Sequence, residues 1–244
     1  MPNWFSKSSS PPLDLSFLNV DMHSHLLPGI DDGVKTVEEA VDMIRLLQSY
    51  GYSHLITTPH VIWDAYRNTP DIIRQKLQVV REACAEAGLT IRLDAAAEYF
   101  LDEHFTELLK SGEPLLTLHQ NRVLVELPYT TPLLNLSETL FLIVQHGYRP
   151  VLAHPERYIY FHANRDIFAR LNAQGCELQL NALSLTGHYG AEVARMAEWL
   201  LKENLIVYLG TDAHHLGHLA QLEKVKKSKW LASYPFQNNI LLSN

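Results

Sequence analysis

At 244 residues, with 47% hydrophobic and 19% charged side chains, the chain reads as one soluble globular domain of enzyme size. A net charge of −7 argues against broad nucleic-acid binding, which needs a basic face, and leaves room for an anionic substrate held locally by metal or arginine. The two cysteines, Cys84 and Cys176, lack metal-type spacing and disulfide-scaffold density, so they read as reduced residues of a cytoplasmic protein, and no apolar run approaches the ~20 residues that span a bilayer.

The first residues, "MPNWFSKSSSPPLDL", carry one lysine and no continuous apolar core. They do not read as a secretory signal and predict a flexible N-terminal arm over 1–16, ahead of one domain over 17–244. From there strand-length apolar runs alternate with segments of helical period. "LNVDMH" (18–23) precedes a helix over 36–50 that opens on Thr36 and Glu39 in capping-box spacing. "HLITTPH" (54–60) leads to a helix over 70–87, and "IRLDAAAEY" (91–99) to one over 102–110. "RVLVELP" (122–128) leads to 136–146, and "PVLAHPE" (150–156) to 164–174. "CELQLNA" (176–182) leads to 190–203, and "IVYLGTDAH" (206–214) to a last helix near 217–228. Seven β-then-α units with apolar strands predict an α/β fold with a parallel sheet under helices, either doubly wound or closed as a barrel. No Gly-rich phosphate loop follows the first strand, which removes the simplest argument for the open form.

Position is the informative property of the polar residues. His23 and His25 end the first predicted strand, His60 the second, Glu98 the third, Glu126 the fourth and His154 the fifth, while Asp212 and His214 end the seventh. A parallel barrel would bring all of these to its C-terminal rim, and an open sheet to its ligand edge. His23/His25 and Asp212/His214 are i, i+2 pairs, whose side chains point the same way from an extended segment. Imidazoles mixed with carboxylates suit Mn, Fe or Zn rather than Ca or Mg. Such a number of donors predicts a cluster of two or three ions, which suits phosphate-ester hydrolysis. Any one histidine at a strand end is more often a hydrogen-bonded residue than a ligand, and Asp31 and Asp32 alone read as a turn before Gly33. The coincidence carries the weight, because only the sixth strand, ending in Asn181, lacks such a group. Arg157, three residues after His154, can reach a phosphate as a bidentate donor or pair with Glu156 or a neighbour.

Other nucleophiles are missing. Cysteine phosphatases need an arginine six positions after the cysteine, and here Thr90 and Ala182 stand there. There is no G-x-S-x-G elbow and no deaminase Cys-x-x-Cys.

Taken together, "DMHSHLLPGIDDG", "TTPH", "AAAEYF", "LVELP", "AHPER", "LTGHYG" and "GTDAH" resemble the PHP (polymerase and histidinol phosphatase) superfamily over roughly 17–228. The closer likeness is to its bacterial protein-tyrosine phosphatases of capsular and exopolysaccharide biosynthesis. That resemblance implies a distorted (β/α)7 TIM-like barrel, the PHP fold, with a trinuclear manganese site. By position it implies His23, His25, Glu98 and Asp212 at one metal, Glu98 bridging to a second completed by Glu126 and His154. The third would take Asp31, His60 and His214, with Asp32 as the alternative to Asp31. Arg157 would bind the phosphate while a metal-bridging hydroxide displaces a tyrosyl oxygen in line. The family's second arginine, shortly after Asp-x-His, is absent from "DAHHLGHLAQLEK", leaving His215, His218 or Lys224 as candidates to replace it. The expected partner is a phosphotyrosine-containing protein, a bacterial tyrosine kinase. The competing readings are a small-molecule phosphoesterase such as histidinol phosphatase, and a silent metal-stabilised binding module.

Overall fold

Parallel strands follow one another around a ring in the computed structural model, which describes residues 13–242. In chain order the strands are β1 (Val20–Asp21), β2 (His54–Thr57), β3 (His60–Val61), β4 (Arg92–Ala95), β5 (Glu98–Phe100), β6 (Arg122–Glu126), β7 (Arg149–Ala153), β8 (Glu177–Asn181) and β9 (Tyr208–Gly210). Two sheets result, ordered β1–β2–β4 and β3–β5–β6–β7–β8–β9, and every pairing in them is parallel. The split is local. β3 prolongs β2 beyond Thr58 and Pro59, where the proline has no N–H for a ladder, and β5 prolongs β4 beyond Ala96 and Ala97. Seven strand paths therefore remain, two of them broken where the sequence suggested single runs.

The ring closes between its first and last members. Ser24 pairs in parallel with Ala213, Asp212 N donates to His23 O at 2.7 Å, and His25 N donates to Ala213 O at 2.9 Å. Below these bonds Thr211 donates its N–H and hydroxyl to the buried carboxylate of Asp21, at 2.9 and 2.7 Å. Inside the ring Val20, Met22, Ile56, Leu124, Val151 and Tyr208 form a small apolar core.

Helices cover the outside: α1 (Val37–Ser49), α2 (Pro70–Glu86), α3 (Glu103–Ser111), α4 (Leu136–Gln145), α5 (Asp166–Ala173), α6 (Ala191–Lys202), α7 (Leu216–Leu222) and α8 (Lys229–Ser233). Their buried stripes, such as Val41, Ile44 and Leu47 of α1, pack against outward strand residues such as Val123, Val125 and Leu152 in the larger core. Thr36 caps α1 by accepting from Glu39 N, and Glu39 reaches back to Lys35 N at 2.7 Å rather than to Thr36. Among the described residues no helix is long and apolar enough to cross a membrane.

Two termini differ from expectation. The flexible arm predicted over 1–16 falls largely outside the described residues, but Leu13 and Leu15 are buried and Leu15 N donates to Tyr50 O at 2.7 Å. These leucines cover the end of α1, so Leu13 and Leu15 belong to the core while Asp14 and Ser16 stay exposed. The helix predicted near 217–228 stops at Leu222 and gives way to a turn at Val225–Lys227 and to α8. Further on, Asn238 donates to Val20 O and Leu209 O, tying the C-terminal segment to both closing strands.

Asp21→Ala would strand the buried Thr211 N–H and leave its hydroxyl only His23 O, at 3.2 Å, and should cost roughly 2–4 kcal/mol in urea unfolding. A loss under about 1 kcal/mol would show that this carboxylate does not hold the closure.

Candidate metal centre

The predicted donors meet at one mouth of the ring. Strand alternation delivers most of them: Leu124 faces inward on β6, and so does Glu126 two residues later. His154 breaks the rule. Val151 and Ala153 face the inner core, so continued extension would send His154 outward, and a left-handed backbone at φ 34° turns it in instead. Asp212 is also left-handed, at φ 49°.

Glu98 is completely buried at the centre. Its Oε2 lies 3.2 Å from His23 Nε2, 3.5 Å from His25 Nε2 and 3.0 Å from His60 Nδ1, and its Oε1 lies 3.1 Å from His154 Nε2. Asp212 Oδ1 is 3.4 Å from both His23 Nε2 and His25 Nε2. Glu126 stands 3.7 Å from His60 and 3.5 Å from His154. His23, His25, Glu98, Glu126, His154 and Asp212 thus share one buried knot, and His60 joins it to the rim, where His214 stands.

The two adjacent aspartates separate in role. Asp32 Oδ1 lies 3.5 Å from His60 Nε2 and 3.4 Å from His214 Nε2, and these three with His25 converge closely enough to hold one ion. Asp31, the first choice from the sequence, lies outside that group. Its Oδ2 accepts from His25 Nδ1 at 2.9 Å, and its Oδ1 accepts from Gly33 N at 2.9 Å. The reason is the turn. Gly33 is so close that a Cβ there would sit 2.4 Å from His25 O, so the chain folds back and directs Asp31 behind the imidazole.

Hydrogen bonds behind the imidazoles fix their tautomers. His23 Nδ1 donates to Gln179 Oε1 at 2.8 Å, His25 Nδ1 to Asp31, and His214 Nδ1 to Asp212 O at 2.9 Å. In the neutral ring each Nε2 then presents a lone pair to the centre, the usual arrangement behind metal-ligating histidines. His23 Nε2 and His25 Nε2 face one another at 3.4 Å. Buried His60 Nδ1 and Glu98 Oε2 make no hydrogen bond of acceptable geometry despite their 3.0 Å approach. Lone pairs aimed at lone pairs, with orphaned buried atoms among them, fit cations. Three further groups converge closely enough to hold one: His23 with His25 and Glu98, His23 with His154 and Asp212, and His60 with Glu98 and Glu126.

Arg157 faces the same cleft. Its Nη1 donates to Asp212 Oδ2 at 2.8 Å, and its guanidinium lies 4.8 Å from the Tyr129 ring and 4.4 Å from the Tyr189 ring. Asn181, at the one strand end without an expected ligand, donates to Asp212 Oδ2 at 2.8 Å. Glu156 does not pair with Arg157; it is buried and accepts from Asn181 N and Ser184 Oγ. The cleft encloses about 230 Å³ and is walled on its open side by Ile62, Tyr66, Phe100 and Tyr129. Gln179, Asn181 and Tyr189 were not legible as site residues, because amides and a tyrosine carry no spacing signal. Of the candidates to replace an arginine, none lines the cleft: His218 Nδ1 accepts from His214 N, His215 is exposed, and Lys224 borders a separate hollow with Thr186 and Glu198.

Burial and the charge of Glu98 dominate the electrostatics of the centre. Burial alone would lower His23 and His60, but Glu98 outweighs it, aided by Asp212 at His23, lifting them to about 9 and about 10. Burial and the nearby charge of Glu98 push Glu126 up to about 8. Burial and Arg157 hold His154 down at about 4.

Residues 19–228 match the model of a family described as capsular polysaccharide synthesis, CpsB/CapC. Tyrosine-protein phosphatase YwqE of Bacillus subtilis (strain 168) is 28% identical over 200 residues, covering 81% of this chain and 78% of that protein. CapC of Staphylococcus aureus is 27% identical over 239 residues, covering 92% of this chain and 91% of its own. A solved structure from work on YwqE of Bacillus subtilis and CpsB of Streptococcus pneumoniae, described as metal-dependent tyrosine phosphatases, shares the fold. Its TM-score is 0.79 at 24% identity, covering 91% of this chain and 90% of that one.

The raised groups set a pH dependence for the metal-free protein. His23, His60 and Glu126 hold protons in the fold that the unfolded chain, at 6.5 for histidine and 4.5 for glutamate, gives up earlier. Their contribution is full below the unfolded values and is lost as pH rises through about 8 to 10. Thermal melts in EDTA should therefore give a lower Tm at pH 9 than at pH 7; a Tm that rises over this interval would contradict the assignment.

Proposed function

Because the chain belongs to the CpsB/CapC family of capsular polysaccharide synthesis, we propose that it is a metal-dependent protein-tyrosine phosphatase. Its substrate is a phosphotyrosine-bearing protein, a bacterial tyrosine kinase that controls capsule or exopolysaccharide synthesis, and it works in the cytoplasm. The observation that carries this reading is the union, in one cleft, of a buried nitrogen-and-carboxylate donor set with a single stacked arginine and aromatic walls.

His23, His25, Glu98 and Asp212 would hold one ion, Glu98, Glu126 and His154 a second, and Asp32, His60 and His214 a third, with Asp31 orienting His25. The mixture of imidazole and carboxylate suits manganese, with iron or zinc as alternatives. Such ions supply an acidified water and neutralise phosphoryl charge. The chain itself supplies position. Arg157 can keep its Nη1 bond to Asp212 and offer its remaining N–H donors to phosphoryl oxygens as charge builds there. Tyr129, 41% exposed, and Tyr66, stacked on His60 at 5.8 Å, form walls for a phenyl ring between solvent and donors. A phenol, with pKa about 10, is a far better leaving group than a seryl alcohol.

Purified protein should release phosphate from a phosphotyrosyl peptide with manganese and not with EDTA. His60→Ala should abolish turnover, and Arg157→Lys should lower kcat/KM by about 10²-fold, because an ammonium cannot reproduce the planar fork. Release from histidinol phosphate and none from phosphotyrosyl peptides would replace this reading with a small-molecule phosphoesterase.

A further inference from the structure

A second cavity lies beside the cleft and shares a wall with it. That wall is the turn after β3, where Ile62 pairs antiparallel with Tyr66 and Tyr66 N donates to Ile62 O at 2.6 Å. Ile62 and Tyr66 border the cleft, whereas Trp63, between them, borders the second cavity. This cavity encloses about 220 Å³ and is lined mainly by apolar groups of Val61, Trp63, Ile73, Tyr99, Leu108 and Leu115, with Asn68, Thr69, His104 and Glu113 as its polar borders. Val61 and Tyr99 alternate with His60 and Glu98, so it sits on the outer side of the strands whose inner side carries the donors. A dry apolar cavity of about 150 Å³ already admits benzene, so one large aliphatic or aromatic side chain fits here. Trp63 stands at its edge, 37% exposed, stacked on His104 at 3.8 Å. Asn68 ties this wall to the metal centre by donating to His60 O at 2.8 Å and Ile30 O at 2.9 Å.

We propose that this cavity binds an apolar side chain of the same protein segment that presents its phosphotyrosine to the cleft, an inference that rests on the phosphotyrosine reading above. The shared turn is the reason. A segment with its phosphotyrosine against Tyr66 crosses the Ile62–Tyr66 turn, and a residue close by in its sequence then lies over Trp63. The chemistry selected is leucine, methionine or phenylalanine, since a charged group would lose its water for an apolar lining. The preferred substrate class is therefore a phosphotyrosyl segment with a large apolar neighbour. Small aryl phosphates reach the cleft alone.

The test is a set of phosphotyrosyl peptides in a Gly/Ser background, with one leucine moved through about four positions on either side of the phosphotyrosine. One or two positions should raise kcat/KM about tenfold through a lower KM. That gain should vanish in Trp63→Ala and in Leu108→Trp, which fills the cavity from α3 and leaves the residues of the shared turn unchanged. Leu108→Trp should hydrolyse p-nitrophenyl phosphate at the wild-type rate. Indifference of the wild type to leucine at every position, or a preference that survives both substitutions, overturns the proposal. Failure of the wild type to hydrolyse any phosphotyrosyl peptide overturns the reading beneath it and this inference with it.

Discussion

Four imidazoles crowd one fully buried carboxylate. Glu98 lies within 3.5 Å of ring nitrogens from His23, His25, His60 and His154, and no backbone donor among the described residues relieves it. Burying a charge among lone pairs is costly unless cations or protons share the space. The surrounding structure bears that cost by rigidity. Gln179, Asp31 and the Asp212 carbonyl hold three rings from behind, while Gly33 and Gly210 permit the approach. At Gly210 a Cβ would lie 2.8 Å from both Gln179 Nε2 and His23 Cβ, so even a methyl group would unseat the innermost histidine.

Asp212 couples this donor set to the Arg157 guanidinium. One oxygen faces His23 and His25 at 3.4 Å, and the other holds Arg157 and Asn181 at 2.8 Å each. In the proposed mechanism, metal retention and anion binding would therefore share a carboxylate. The left-handed backbone at His154 and Asp212 is strain at the site of chemistry, worth about 1–2 kcal/mol at each residue, held by the closed ring.

Much of this was legible in the sequence because barrel strands end where their inward residues end. The helices over 36–50, 70–87 and 136–146 are found at Val37–Ser49, Pro70–Glu86 and Leu136–Gln145, since their apolar periods are local properties. The seven-unit count survived the breaks at Pro59 and Ala96–Ala97 because the strand paths continue through them. What pattern could not resolve was direction within a turn. Asp31 and Asp32 are adjacent and chemically identical, and only the close approach of Gly33 to His25 sends one behind the ring and the other to the rim. His154 likewise points inward through its φ, against strand parity. Residues after Leu222 escaped because the short turn at Val225–Lys227 and the five-residue α8 carry no period long enough to read.

The most direct measurement is metal content per chain, by mass spectrometry, in wild type and in Glu98→Gln after equal exposure to manganese and gel filtration. Glutamine keeps the shape and removes the shared charge. The expected result is more than one tightly held ion in the wild type and less than half that content in the variant, with the far-UV spectrum unchanged. Equal content in the two proteins would show that Glu98 is not the carboxylate around which the centre is built.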